Sequence, residues 1–323
     1  MFSVLLILMM SGLTAQEAMP QMPPRPLKPS HAVQLPVPSF SAYGNPQCDD
    51  NLAIYYHLVA DKYDRTVLLR FSQSGNESTL YKLPDEFADA TAFVDFSVTP
   101  GGDVEALVVD KEFHPIVFSF NSEGHVSSHA RLETPDHVMA KHIDLFPNGT
   151  VFFSGYYTKD APAGSAGKGY AGLFQSSGKL IKRLDRLHEK TKVDPAEQGR
   201  VPEPGTTVGR DGNVYVLTGN EVLVISPSGK LRREIKFTKP SPEFSPVTVQ
   251  YSEGWLAISF AKPGKSEVLF QYLVVNASDG DPLGIYEPTE ETGNDNVCFS
   301  RHDGFLFSKF EQNRVVLVTA PLR

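Results

Sequence analysis

The sequence predicts an all-β fold, a six-bladed β-propeller whose blades are four-stranded antiparallel sheets. Three observations predict it. Short runs rich in β-branched and aromatic residues alternate with glycine-containing turns along most of the chain. The same order of runs and turns occurs six times, at intervals of 42 to 63 residues, which suits a four-stranded blade. Helical periodicity is confined to a short turn near residues 184–192. A large β-sandwich is the alternative, but the paired turns within each unit favour the propeller.

The N-terminal stretch MFSVLLILMMSGLTAQ contains an apolar block that is too short to span a membrane and is followed by small residues. It predicts a signal peptide over residues 1–15 and export to the periplasm or the extracellular space, although no basic residue precedes the block. Residues 16–30 are rich in proline and are predicted to form a linker, and the propeller is predicted over residues 31–323. No later apolar run is long enough to predict a transmembrane segment.

Each repeat has the same internal order. It begins with an apolar inner run, which a turn joins to a second strand. A charged corner then leads to a third strand, and a second glycine turn leads to an outer strand. In the fourth repeat, NVYVL and EVLVIS predict buried strands, and KLRREIKF alternates so that Leu231, Ile235 and Phe237 share one side. The first turns of the six repeats are anchored at Asp50, Gly102, Gly149, Gly212, Gly254 and Gly304.

The sixth repeat contains only three strands. Its fourth strand is predicted to be the N-terminal segment HAVQLPVPSF, because the prolines of that segment are tolerated at a sheet edge. Cys48 precedes the first turn of the first repeat, and Cys298 lies in the inner run of the sixth. These repeats are neighbours in a closed ring, so an isolated cysteine pair in an oxidising compartment predicts a disulfide. Two buried free thiols are the alternative.

The repeats, typified by DGNVYVLTGNEVLVISPSGKLRREI, resemble the six-bladed NHL/TolB-like propeller superfamily of exported proteins. The resemblance covers the chain from Cys48 to the C terminus. That superfamily includes lactonases, lyases, receptors and scaffolds, so the resemblance implies a fold and not a reaction. Its lactonase-like members hold a calcium ion in the channel with Glu, Asn and Asp side chains, and none of these ligands can be carried over to a residue of this sequence.

Charged corners follow the second strand in five of the six repeats, and each includes a lysine. These corners share one face with the mouth of the channel, so they are candidates for binding an acidic ligand or a polyanionic glycan; ordinary solvated loops are the alternative. Polar residues of the inner runs are predicted to line the channel: Asp95, His142, Asp144, Thr206, Gln250 and Asn296. The candidate ligand-binding residues are Lys62, Asp110, Lys111, His142, Asp144, Lys159, Lys262 and Lys309.

The composition narrows the function class without naming a reaction. A formal net charge of −8 and the absence of long basic runs argue against a nucleic-acid partner. No Ser-His-Asp set, paired carboxylates or G-x-S-x-G motif can be assembled, so no catalytic residue is assigned. No cofactor is predicted, and a divalent metal in the channel is retained as an alternative.

Three functional hypotheses follow. The first is an exported monomer that binds a protein, peptide or glycan through its loop-rich channel face. The second is a channel-centred, metal-assisted hydrolase or lyase of the lactonase-like propeller type. The third is a scaffold tethered by its proline-rich arm. The sequence favours a binding protein over an enzyme.

Overall fold

The computed structural model describes residues 22–38, 42–58, 66–72, 74–75, 78–87, 92–162, 164–184, 205–264, 267–293, 295–312 and 314–323. Within these ranges the regular structure consists of 25 strands and one 3₁₀ turn at Asp85–Phe87. The strands form six sheets, as predicted, and no helix in the described part of the chain has the length and apolar character needed to cross a membrane. The predicted signal peptide lies outside the described residues.

Blades one to three each consist of four consecutive antiparallel strands, named in order from the inner to the outer strand. Blade one contains β3 (Ala42–Cys48), β4 (Ile54–Leu58), β5 (Thr66–Phe71) and β6 (Ser78–Lys82). Blade two contains β7 (Ala92–Val98), β8 (Val104–Val109), β9 (Pro115–Phe120) and β10 (Val126–Arg131). Blade three contains β11 (Val138–Leu145), β12 (Val151–Tyr157), β13 (Gly169–Phe174) and β14 (Leu180–Arg183).

Blades four and five follow the same plan. Blade four contains β15 (Thr206–Val208), β16 (Val214–Thr218), β17 (Glu221–Ile225) and β18 (Leu231–Lys236). Blade five contains β19 (Ser245–Ser252), β20 (Trp255–Pro263), β21 (Val268–Asn276) and β22 (Pro282–Glu287). A short additional strand, β1 (Arg25–Pro26), pairs in parallel with β22 at the outer edge of blade five.

Blade six takes its outer strand from the N-terminal part of the chain. Its first three strands are β23 (Asp295–Ser300), β24 (Gly304–Glu311) and β25 (Arg314–Ala320). The fourth and outer strand, β2 (His31–Pro38), pairs antiparallel with β25. The prolines of β2 therefore lie in an edge strand, where a missing N–H donor is tolerated. The described part of the predicted linker, residues 22–30, lies along blade five, where Leu27 is buried and donates a backbone hydrogen bond to Glu287.

The six sheets close into a ring. The inner strands β3, β7, β11, β15, β19 and β23 contact one another in that cyclic order, and β23 contacts β3. A disulfide joins Cys48 of β3 to Cys298 of β23, with a Cα–Cα distance of 6.0 Å, so the predicted pairing is confirmed. In this ring, blades one and four lie on opposite sides of the channel, as do blades two and five.

Neighbouring inner strands run in the same direction, which gives the ring two distinct faces. Asp95 of blade two accepts a hydrogen bond from the backbone N–H of Ile143 in blade three, and Ser97 accepts one from Leu145. All turns between first and second strands therefore lie at one end of the channel, the lower face. The loops between second and third strands lie at the other end, the upper face.

Packing between adjacent blades forms the core. One cluster joins blades four and five and includes Tyr215, Val224, Phe260 and Leu273. A fully buried side chain of this size contributes roughly 1.5–3 kcal/mol through the hydrophobic effect. The apolar clusters between neighbouring blades therefore hold the sheets together. The outer strand β18 departs from the prediction that Leu231, Ile235 and Phe237 share one side. Ile235 and Phe237 pack into the cluster between blades four and five, whereas Leu231 packs into the cluster between blades three and four. The reason is a register shift in the pairing of β18 with β17 between Leu231 and Arg233.

The predicted repeat anchors occupy equivalent turns. Positive φ angles, which favour glycine because it has no Cβ, recur at these positions. The angles lie between 74° and 89° at Gly102, Gly149, Gly212, Gly254 and Gly304.

Candidate functional site: the channel and its upper face

Polar side chains of the inner strands connect neighbouring blades. Gln47 of blade one donates to the carbonyl of Phe96 at 2.6 Å and accepts from the N–H of Val98 at 3.1 Å. Gln250 of blade five donates to the carbonyl of Val297 in blade six at 3.1 Å. These contacts use part of the polar channel lining to hold the ring together.

Among the described residues, a hydrogen-bonded polar group in the channel is formed by residues of three blades. Nδ1 of His142 lies 2.5 Å from Oδ2 of Asp95, and its Nε2 lies 3.2 Å from Oδ2 of Asp144. The hydroxyl of Thr206 contacts both Nε2 of His142 and the Asp144 carboxylate. We call these four residues the channel cluster. The sequence predicted that all four line the channel, and the ring brings them into contact.

The channel cluster favours a protonated imidazole. Burial alone disfavours the charged form, but the nearby carboxylates of Asp95 and Asp144 stabilise it, and the pKa of His142 is raised well above its usual value. Both ring nitrogens can then donate to carboxylates. An imidazolium held between two acids is poorly suited to accept a proton as a general base.

The same contacts bear on metal binding. A histidine ligand must present a deprotonated nitrogen to the metal, whereas both nitrogens of His142 face carboxylates. Among the residues that the structure describes, no group of three or more His, Cys, Asp or Glu side chains is arranged to hold a metal ion. The side chain of Asn296 lies outside the described set.

An ion pair crosses the lower end of the channel. Asp50, in the first turn of blade one, pairs with Arg210, in the first turn of blade four. Burial raises the pKa of Asp50, Arg210 opposes this effect, and Asp49 and Glu253 add negative charge nearby. Because blades one and four are opposite one another, this pair lies across the channel axis and narrows the lower mouth.

The upper face presents an exposed aromatic residue on a rigid loop. Oδ1 of Asp110 accepts hydrogen bonds from the N–H groups of Glu112 and His114, each at 2.9 Å. The N–H of Phe113 donates to the carbonyl of Asp110, also at 2.9 Å. These bonds hold Phe113 at a φ of 64° with 64 % of its surface exposed. Left-handed backbone is rare for a bulky residue and is found in tight turns and at strained sites.

Blade five presents apolar side chains on the opposite side of the same mouth. Val268 and Leu269 begin β21, directly after the loop between the second and third strands, and both are exposed. Val247 lies near the upper end of β19, at an irregularity in its pairing with β20, and is also exposed. Six large apolar side chains are exposed among the described residues, and these three and Phe113 account for four of them.

Of the corner lysines that were predicted to bind a ligand, two already have carboxylate partners. Nζ of Lys262 lies 2.9 Å from Oε2 of Glu243. Nζ of Lys309 lies 2.6 Å from Oε1 of Glu311 and donates to the carbonyl of Glu291. Lys111 and Lys159 are exposed on the loops of blades two and three, beside Asp110 and Asp160 respectively, and Lys62 lies outside the described residues.

Two features of the channel ends were missed from the sequence. Phe113 stands in the charged corner VDKEFH, and an aromatic residue among charges was the available signal. The pair formed by Asp50 and Arg210 had no signal, because its partners are 160 residues apart.

Comparisons with known proteins support the fold. No protein-family model matches the sequence, and no curated protein matches it. A luciferin-regenerating enzyme aligns with a TM-score of 0.53 at 10% identity, over 91% of this chain and 96% of the other. At this identity the likeness supports the propeller fold alone.

Two further solved structures align with this chain over most of their length. A protein described as a candidate gluconolactonase aligns with a TM-score of 0.49 at 12% identity, over 92% of this chain and 95% of the other. A gluconolactonase from Xanthomonas campestris aligns with a TM-score of 0.44 at 14% identity, over 93% and 98%. With TM-scores below one half, neither carries an argument about function.

Proposed function

We propose that this protein is an exported, monomeric binding module that holds a partner on the upper face of its propeller. The observation that carries the proposal is the concentration of exposed apolar side chains at that face, on the opposite blades two and five. Exposed apolar side chains that share one face of a protein are typical of interaction sites. A closed ring whose first and last blades are joined by a disulfide can hold such a surface in a fixed arrangement.

Site-specific photocrosslinking in the cell that produces the protein tests this proposal. Benzoylphenylalanine is placed at Phe113 or Leu269 on the upper face, and at Ile181 or Leu283 on outer strands as matched controls. We expect adducts from the upper-face positions only. Adducts at all four positions, or at none, would contradict a binding role for this face. The reagent reacts with C–H bonds generally, so the test does not presuppose the kind of partner.

Export is the second part of the proposal. The disulfide between Cys48 and Cys298 favours an oxidising compartment, and the apolar N-terminal block has the features of a signal peptide. Sequencing the N terminus of the protein recovered from outside the cytoplasm provides the test. A mature chain that begins just after Ala15 is expected, and recovery of an uncleaved chain from the cytoplasm would contradict it.

A channel-centred hydrolase is the second candidate, favoured by one observation. Asp95, His142 and Thr206 follow one another in the carboxylate, imidazole and hydroxyl order of a proton relay. The luciferin-regenerating enzyme with a similar fold is a catalyst by its name. Against this candidate, the pKa of His142 is raised and Asp144 occupies its second nitrogen.

Hydrolysis of gluconolactone by the purified chain, with and without added calcium, separates the two candidates. An enzyme of this kind would lose activity in His142→Asn and keep it in His125→Asn, whose side chain is exposed. For a binding module we expect no turnover above that of buffer in any of the three proteins.

A further inference from the structure

The upper face has a recognisable chemistry, and this chemistry distinguishes among the partners that a binding module could take. Phe113 lies on blade two, and Val247, Val268 and Leu269 lie on blade five. Blades two and five are opposite one another in the ring. Apolar groups therefore stand on both sides of the channel mouth, so that one bound segment can contact both.

Phe113 is held in place before any partner arrives. Asp110 fixes the loop through hydrogen bonds to the N–H groups of Glu112 and His114, and Nδ1 of His114 lies 3.2 Å from the same carboxylate. A loop whose backbone is already fixed loses little conformational freedom on binding. Aromatic side chains in such positions are typical anchors for protein and peptide partners.

Two of the corner lysines on this face have carboxylate partners. Lys262 pairs with Glu243, and its ammonium group lies 4.9 Å from the centre of the Phe244 ring. Lys309 pairs with Glu311. A polyanion is bound by cations that are available to its phosphate, sulfate or carboxylate groups, and these two lysines already have carboxylate partners.

From these contacts we propose, on the basis of the proposed binding function, that the partner is a polypeptide segment whose apolar side chains pack on Phe113 and on the blade-five residues Val268 and Leu269. The local pairing of Lys262 and Lys309 suits an uncharged, apolar contact surface. A sulfated or otherwise polyanionic glycan is the competing class of partner, and it would depend on the exposed lysines Lys111 and Lys159 instead.

The test uses the purified, disulfide-bonded chain and two probes. A random dodecapeptide phage library is panned on the immobilised protein, and the most enriched peptide is synthesised and titrated by fluorescence anisotropy. Heparin is titrated in parallel as the polyanionic glycan. Phe113→Asn and Leu269→Ser are compared with the matched controls Ile181→Ser and Leu283→Ser. Asparagine tolerates positive φ, so Phe113→Asn removes the ring without straining the loop.

We expect enriched peptides with aromatic and aliphatic residues, at least a tenfold loss of peptide affinity in Phe113→Asn, and a change within twofold in both controls. Heparin binding that is lost in Lys111→Glu and Lys159→Glu, with peptide binding absent, would overturn this inference and leave the proposed function standing. Failure of both probes to bind the upper face, together with uniform photocrosslinking, would overturn both.

Discussion

At the scale of single residues, His142 is the central member of the channel cluster. Its side chain joins Asp95 of blade two to Asp144 of its own blade and Thr206 of blade four. The raised pKa of His142 sets the pH dependence of this contribution. Stability from the charged imidazole is fully present below the ordinary histidine pKa of about 6.5 and is lost as the pH rises through the higher folded value.

The first prediction replaces His142 with glutamine. At pH 6 we expect the free energy of unfolding in urea to fall by about 3–5 kcal/mol, because two partly buried carboxylates lose their cation. At a second pH, above the raised pKa of the folded protein, we expect a smaller loss, because the wild-type imidazole has then lost its charge. His125→Gln, at an exposed position, should be neutral at both pH values. An effect of His142→Gln that is equal at both would contradict the charged-imidazole interpretation.

Glu105 is a second buried titratable residue, and it lies outside the channel cluster. One carboxylate oxygen accepts a hydrogen bond from Ser119 at 3.0 Å, and the other has no partner among the residues that the structure describes. Burial raises the pKa of Glu105 to about 7, with Ser119 opposing the shift and Asp103 adding to it. The folded protein therefore holds this proton more tightly than the unfolded chain does.

The second prediction concerns Glu105→Gln. A raised carboxyl pKa means that stability is lost as the pH rises from the unfolded value of about 4.5 to about 7. Glutamine cannot ionise, so we expect it to raise the free energy of unfolding at pH 8 by about 3 kcal/mol and to have little effect at pH 4. Urea unfolding at the two pH values measures this. The control is Glu123→Gln, because Glu123 is exposed and lies in the same blade. Equal stabilisation by the two substitutions would contradict the prediction.

At the scale of strands, the inner strand of most blades departs from regular pairing. Register shifts occur in β3, β7, β11, β19 and β23, and those in β7, β19 and β23 lie near the start of the strand. In β19 the shift lies between Pro246 and Thr248, which leaves Val247 as the additional residue. β-Bulges redirect side chains and are common beside functional sites. In blade five the bulge accompanies the exposure of Val247 at the upper face.

The third prediction tests the support of this bulge. The hydroxyl of Ser259 on β20 accepts a hydrogen bond from the N–H of Thr248 at 3.1 Å and lies 2.5 Å from its hydroxyl. Ser259→Ala should lower the free energy of unfolding by about 1–3 kcal/mol, because buried polar groups lose a partner. Ser122→Ala, in an exposed turn, should be neutral. If the two variants unfold at the same urea concentration, Ser259 does not support the bulge.

The sequence predicted strands better than it predicted contacts between them. Turn residues and strand composition are local signals, so the anchors such as Gly212 and the existence of β18 were found. The register shift that turns Leu231 to the other face of β18 was not. Bulges shift a strand by one residue without altering its composition, so the exposure of Val247 could not be predicted. The left-handed backbone of Phe113 depends on hydrogen bonds to Asp110, and no motif in the corner sequence identifies it.

At the scale of the whole molecule, the ring depends on the junction between blades six and one. β2 completes blade six, the disulfide joins β23 to β3, and Leu35 and Cys298 belong to one buried cluster. This junction was predictable, because a propeller with an open end would expose two sheet edges. The sequence predicted that the residues of the channel cluster line the channel, but it could not predict that they contact one another. Those contacts depend on the twist of three blades and on where each side chain lies along the channel axis.

The last prediction asks whether this junction acts as one unit. Replacing both Cys48 and Cys298 with serine should lower the free energy of unfolding by about 5–6 kcal/mol on the chain-entropy model, because the loop spans 250 residues. Leu35→Ala should cost about 2–5 kcal/mol through the cavity that it leaves. Because Leu35 and Cys298 share a cluster, the combined variant should depart from additivity by more than about 0.5 kcal/mol.

Leu173→Ala is the matched control, because Leu173 is equally buried but lies in a cluster between blades three and four. Combined with the two serine substitutions, it should be additive within about 0.5 kcal/mol, since distant sites without shared partners act independently. Urea unfolding of the single and combined variants measures both couplings. Equal additivity in the two combinations would mean that the disulfide and β2 stabilise the ring separately, and that closure does not depend on a cooperative junction.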